Sequence, residues 1–396
     1  MGFVDQVVSA LTSVLPDEEP IHLHAPVFEG KEWDYVRECL DTGWVSSVGR
    51  FVDEFERRLA EYTGVAHAVA VVNGTSALHV SLILAGVQRG DEVLVPALTF
   101  VATANAVAYV GAMPHFVDSE ENTLGVDPEK LLDYLKEIVT LKNGEAVNRF
   151  TGRRIKAVVP VHTFGHPVDM DPLLEVAARF GLSVVEDAAE SLGSLYKDRH
   201  TGSFGQIGVL SFNGNKIVTT GGGGAILTND REIARRAKHL TTTAKQSHPW
   251  AFFHNETGFN YRMPNINAAL GCAQLEQLDV FIERKRRLAG RYAEAFARVK
   301  GVKVFQEQPF ARSNYWLNAL ILEPNYAQSR DAILQATHER GIMTRPAWTL
   351  MPKLPMYQHC PRMDLRVAEA LEARIVNLPS SADLLIELPG GDSHAT

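Results

Sequence analysis

The 396-residue sequence predicts an α/β fold, with a large domain built on a mostly parallel sheet between helices and a smaller α/β domain towards the C-terminus. Three observations predict it. Short apolar runs bounded by turn residues alternate with helical stretches at the spacing of right-handed crossovers. After Gly301 the texture changes to short strands around one helix. Hydrophobic residues at 45% and charged residues at 22% match a globular composition, with enough apolar material for a sizeable core.

Taken in order, residues 1–20 place Phe3, Val7, Val8, Leu11 and Leu15 at helical spacing, an amphipathic segment expected to dock on the body or on a partner subunit. It has no basic leader and no long apolar core, so neither a signal peptide nor a membrane span is expected. Residues 21–29 read as extended and 32–41 as a helix; the glycine- and serine-rich stretch 42–49 then breaks the pattern. An amphipathic helix over 52–62 precedes a buried strand over 66–72, which runs into Asn73-Gly74-Thr75-Ser76 and a helix through Leu84. A strand at 92–96, a helix from Thr99 and a strand at 114–117 follow. The next helix spans 128–139, with Asp127 as its cap and Pro128 in its first turn. Residues 142–154 are polar without a period and read as a surface excursion. A strand at 157–161, a helix at 172–180 and an apolar run at 182–185 ending in Glu186-Asp187 continue the alternation, as do a strand at 225–228 and a helix at 230–240. Residues 241–257 are irregular, and 265–298 read as one long helix joining the domains. Strands are expected at 302–305 and 315–322, with a helix over 329–340. The expected division is 1–20, 21–264 and 265–396.

The chemistry centres on Lys216. It is the only lysine between Lys197 and Lys238, and it lies among polar residues ahead of four consecutive glycines, Gly221 to Gly224. Such a run suits neither helix nor strand and implies a need for bare backbone. A lysine away from carboxylates is a candidate amine nucleophile. Asp187, at the end of a buried strand, supplies the carboxylate that pyridoxal 5'-phosphate (PLP) chemistry places at the ring nitrogen. Gly74, Thr75 and Ser76 lie where a strand passes through small residues into a helix. Free N–H groups and the helix dipole converge there on an anion.

Several motifs carry a family resemblance. The run Glu186-Asp187-Ala188-Ala189-Glu190, Gly202-Ser203-Phe204-Gly205, Ser211-Phe212 and Lys216 with its glycines resembles the DegT/DnrJ/EryC1/StrS aminotransferases. His162-Thr163-Phe164-Gly165, Gly258-Phe259-Asn260-Tyr261-Arg262-Met263 and Thr344-Arg345-Pro346 extend it. The resemblance implies a fold type I PLP-dependent transferase with a seven-stranded large-domain sheet. It implies Lys216 as the lysine that carries PLP, with Asp187 beside it, and a cofactor held by Gly74, Thr75, Ser76, Phe100, Glu190, Ser211 and Asn260. Asn260 would reach the neighbouring subunit's cofactor phosphate, giving a homodimer with shared sites. Substrate contacts are implied for Trp44, Ser46, Ser47, His162, Arg345 and Trp348, with L-glutamate as amino donor and a nucleotide-linked 4-keto-6-deoxy sugar as acceptor. The 43–49 stretch and Arg345-Pro346-Ala347-Trp348 look most like the branch of legionaminic acid and bacillosamine 4-aminotransferases, whose acceptors are N-acetylhexosamines. Two departures stand out: Glu190 occupies a position where many relatives have glutamine, and the loop after Pro346 lacks the histidines that relatives carry.

The remaining features narrow the class. A net charge of −8 argues against a nucleic-acid surface. Cys39, Cys272 and Cys360 form no CxxC pair, so neither a metal site nor a disulfide framework is expected, and a reducing cytoplasm fits. A related sugar dehydratase would have histidine in place of Lys216, and a non-catalytic PLP-binding regulator would lack the lysine or the carboxylate.

Overall fold

A computed structural model describes residues 2–17 and 19–384. Seven strands form the main sheet: β1 (His67–Val71), β2 (Glu92–Pro96), β3 (Met113–Val117), β4 (Ile155–Val158), β5 (Ser183–Asp187), β6 (Ile207–Ser211) and β7 (Gly224–Thr228). Their order is β1-β7-β6-β5-β4-β2-β3. β7 pairs antiparallel with both neighbours, and every other pairing is parallel. Six strands therefore end at the same edge, where open α/β sheets gather their ligands.

Each face of the sheet buries its own set of side chains. Along β1, Val69 and Val71 join the core on one face, while Ala68 and Ala70 pack on the other with Phe51, Phe55 and Leu59. The strand period of two produces this alternation, and burial on both faces explains why the strands read as unbroken apolar runs. The helix Pro128–Ile138 follows its sequence signals: the Asp127 carboxylate accepts the Lys130 N–H at 3.0 Å, and Pro128 occupies the first turn.

A second, antiparallel sheet carries the C-terminal part: β8 (Val302–Val304), β9 (Asn318–Leu322), β10 (Arg345–Pro346) and β11 (Ile375–Leu378), in the order β8-β9-β11-β10. The N-terminal helix Phe3–Thr12 buries Val7 and Leu11 against Leu288, Tyr292 and Phe296 of this part of the molecule.

Four segments differ from the sequence expectation, the first being β6 (Ile207–Ser211), where no strand was expected. Residues 142–154 contribute to a hairpin, Val139–Lys142 with Glu145–Asn148, turned by Asn143 and Gly144 in the left-handed region. The long run over 265–298 divides at Glu276 and Gln277 into helices Asn265–Leu275 and Leu278–Phe296. The first of these buries Ala268, Ala269 and Cys272 with Phe51 and Phe55, on the same side of the main sheet as Ala68 and Ala70. Finally, the strand expected over 315–322 starts only at Asn318.

Candidate active site

A cavity of about 320 Å³ opens at the shared strand edge. Its lining comes from the ends of several strands: Asn73, Gly74 and Thr75 after β1, Thr99, Phe100 and Thr103 after β2, Asp187 of β5 with Glu190 beyond it, and Ser211 of β6 with Lys216 beyond it. Trp316 and Trp348 close it from the C-terminal part.

Asp187 and Glu186 are neighbours in sequence and opposites in environment. Glu186 is wholly buried on the far side of the strand. Its carboxylate accepts N–H bonds from Gly202 at 2.7 Å, Phe204 at 2.6 Å and Gly205 at 2.5 Å, and Nε2 of His162 stands 3.1 Å away. Burial pushes the Glu186 carboxyl up, but these bonds outweigh it and hold it below the usual range. Asp187 faces the cavity with the Thr103 hydroxyl donating at 2.8 Å and the Ala189 N–H at 3.2 Å. Burial dominates there and raises its pKa. A buried carboxylate held this way favours a cationic N–H partner, which the protonated nitrogen of a pyridine ring supplies.

Lys216 is the one amine among the residues lining the cavity. Its Nζ lies 3.4 Å from Oε1 of Glu190 and 3.9 Å from the centroid of the Trp316 ring. Glu190 also accepts the Phe164 N–H at 2.9 Å, and burial raises its pKa despite the nearby ammonium.

The anion cradle forms at the start of the helix Gly74–Leu84. A Cβ at Gly74 would stand 2.9 Å from Cβ of Ser211, so glycine is what allows the helix start and β6 to meet. Gly224 has the same function behind it, since a Cβ there would fall 2.7 Å from the Gly74 nitrogen. These contacts explain at least part of the glycine run. The first-turn N–H groups of Gly74 and Thr75 have no intrahelical acceptor.

The residues singled out from the sequence divide into three groups. Gly74, Thr75, Phe100, Asp187, Glu190, Ser211, Lys216 and Trp348 all line the cavity. Arg345 lines an adjoining cavity of about 420 Å³, which shares Asn215, Trp316 and Trp348 with the first. Trp44, Ser46, Ser47 and Asn260 are not among the lining residues of either. The loop bearing Trp44 is tied by its carbonyls to Asn265, and Asn260 is exposed beside Thr242.

Two expectations need correction. Ser76 does not offer its N–H to an anion, because Oδ1 of Asn73 accepts that N–H at 2.7 Å as the helix cap. His162 is wholly buried, with Nδ1 accepting from Val168 N–H at 3.1 Å and Nε2 facing Glu186, so neither ring nitrogen is left for a substrate. Asn73, Thr103, Asn213 and Trp316 were not anticipated. Only Asn73 had a local signal, asparagine being a favoured cap before a helix. Thr103 and Trp316 reach the site through tertiary packing.

The site fits the PLP that the family resemblance implies, on this chain's own geometry. One amine and one strand-end carboxylate face a single cavity, and a bare-backbone helix start offers free N–H groups to a phosphate.

Comparison with known proteins gives the family. Residues 27–387 match the model of the DegT/DnrJ/EryC1/StrS aminotransferase family. The GDP-perosamine synthase of Caulobacter vibrioides is 41% identical, covering 93% of this chain and 95% of its own. That of Escherichia coli O157:H7 is 38% identical over 92% of this chain and 94% of its own. Among solved structures, a DegT DnrJ EryC1 StrS aminotransferase from Brucella abortus superposes with a TM-score of 0.80 at 31% identity, covering 89% of this chain and 91% of that one.

Proposed function

The chain belongs to the DegT/DnrJ/EryC1/StrS aminotransferase family and is a PLP-dependent sugar aminotransferase, and from that premise we propose a specific reaction. The amino group of L-glutamate passes to the C4 keto carbon of a nucleotide-linked 4-keto-6-deoxy sugar. The observation that carries the reading is the sharing of one cavity by Lys216 and Asp187, with the Gly74–Thr75 helix start beside them. When bound, PLP supplies an electron-poor ring and the carbon through which the amino group is exchanged.

The chain's own residues do the rest. Asp187 holds a proton at the ring nitrogen, and Thr103 and Ala189 keep its carboxylate facing the cavity. Gly74, Thr75 and Ser211 anchor the phosphate and so fix the position of the reacting atoms. The Lys216 amine holds the cofactor and, once free, carries a proton to or from the substrate carbon as general acid and base. Glu190, its carboxyl pushed up by burial, lines the cavity beside the Lys216 amine and would face the ring oxygen. Arg345 and Trp348 bound the entrance on the C-terminal side.

GDP is the nucleotide favoured by the relatives named GDP-perosamine synthase. They give no support to an acetamido group on the sugar, so a plain 4-keto-6-deoxyhexose takes precedence over the N-acetylhexosamine of the legionaminic acid and bacillosamine branch. Two copies of the chain share each site in this reading. Supporting it, Asn260 and residues 44–47 lie outside the cavity of their own chain, and Trp44, Val45 and Val48 expose apolar surface. No helix among the described residues is long and apolar enough to cross a membrane.

The test is a panel of GDP-, UDP- and dTDP-linked keto sugars, with glutamate as donor. GDP-linked 4-keto-6-deoxyhexose should give the highest kcat/KM, by about tenfold or more, the discrimination one lost polar contact set produces. A preferred 3-keto sugar would overturn the assignment of C4, and a preferred UDP-N-acetylhexosamine would restore the other branch.

A further inference from the structure

Residues 313–316, just before β9, are more tightly fixed than a connection requires. Ser313 and Asn314 are wholly buried, Tyr315 and Trp316 nearly so. Tyr315 has φ of +48°, a conformation that persists only where the surroundings impose it. Nδ2 of Asn314 donates to the carbonyls of Glu190 at 3.0 Å and Leu192 at 2.9 Å, while its Oδ1 accepts the Trp316 N–H at 2.8 Å. The indole Nε1–H of Trp316 donates to the Asn215 carbonyl at 2.7 Å, and the Trp316 carbonyl accepts from the buried Lys285 amine at 3.1 Å. One short segment thus grips the turns that carry both Glu190 and Lys216.

Within this frame the Lys216 amine has two neighbours. The Glu190 oxygen at 3.4 Å is far for a charge-assisted hydrogen bond, which spans about 2.7–2.9 Å. The Trp316 centroid at 3.9 Å lies well inside the roughly 6 Å range of a cation on an aromatic face. The lysine side chain is only 12% exposed, so water competes little for its charge. We infer that Trp316 is a positioning residue for Lys216: its indole face holds the lysine ammonium at the cavity wall whenever that amine is not bonded to the cofactor. Held there, the amine stays inside the cavity and off the Asp187 carboxylate, which would remain free for a cationic ring nitrogen. The inference rests on Lys216 being the lysine that carries PLP.

Capture of PLP by the cofactor-free full-length protein tests it without turnover. In that reaction the Lys216 ammonium first gives its proton to solvent, the free amine then bonds the aldehyde carbon and the carbonyl oxygen leaves as water; borohydride then delivers hydride to the C=N carbon and fixes the adduct for quantitation over time. Trp316→Leu should slow capture about tenfold, whereas Trp316→Phe, which keeps an aromatic face but loses the Asn215 bond, should stay within about twofold of wild type. If the leucine variant does not fold, Trp316→Met, of similar bulk and without a ring, replaces it. In a Lys216→Ala background, Trp316→Leu and Trp316→Phe should change the non-covalent affinity for PLP alike, because the partner that distinguishes a ring from an alkyl chain is gone. Wild-type capture by the leucine variant, equal slowing by leucine and phenylalanine, or an affinity loss specific to leucine that persists without Lys216 would each overturn the inference. An adduct that still forms in Lys216→Ala would instead overturn the underlying assignment of Lys216.

Discussion

The two sides of one strand end show how this fold separates stability from chemistry. On the closed side, Glu186 is enclosed by three backbone N–H groups and His162, and it stays ionised although fully buried. On the cavity side, Asp187 has two protein donors and a raised pKa, leaving it with unmet demand for a cation. A satisfied buried carboxylate contributes to the fold, and an undersatisfied one at a cavity is available to a ligand.

The comparison breaks most visibly with Asp187→Asn. Turnover should fall about 10³-fold, the scale of losing one preorganised electrostatic partner, while the melting temperature of the cofactor-free protein at neutral pH does not fall. A rate within tenfold of wild type would contradict the assigned role. Glu186→Gln should do the reverse, costing about 2–3 kcal/mol in denaturant unfolding while activity per folded molecule stays within several-fold. Unchanged stability would show that the closed side does not carry the fold.

The two carboxylates should also respond oppositely to pH in the cofactor-free protein. Glu186, with its pKa depressed, contributes stability above the unfolded value of about 4.3 and loses it as pH falls through its folded pKa. Glu186→Gln should therefore flatten the acid limb of stability. Asp187, with its pKa raised, contributes stability below about 3.9 and loses it as pH rises through its folded pKa. Asp187→Asn should thus be the more stable protein at neutral pH, an advantage that disappears in acid; thermal melts across the pH range would show both slopes. The smallest effect sharpens the cradle: Ser211→Ala should weaken PLP retention several-fold, and Ser76→Ala should change it less than twofold, because Ser211 lines the cavity and Ser76 does not. Equal losses measured by equilibrium dialysis would return Ser76 to the phosphate site.

Legibility in the sequence followed the same division. Six of the seven sheet strands were readable because strands buried on both faces leave continuous apolar runs, while the short glycine-containing β6 was not, and Asp187, Lys216 and Gly74 were readable because each sits near turn residues that follow such a run. His162 was misplaced because a histidine in a turn looks alike in sequence whether it faces a cavity or a buried glutamate. The break at Glu276 and Gln277 left no glycine or proline to mark it, since both flanking segments are helical. Trp316 was missed because its role exists only across the contact between the C-terminal part and the Lys216 turn. No local pattern encodes that contact.

The most direct measurement fixes the PLP-loaded protein with borohydride and locates the added mass by peptide mapping. The account predicts that the mass lies on the peptide containing Lys216 and is absent from Lys216→Ala. Mass on any other lysine, the buried Lys285 included, would contradict it.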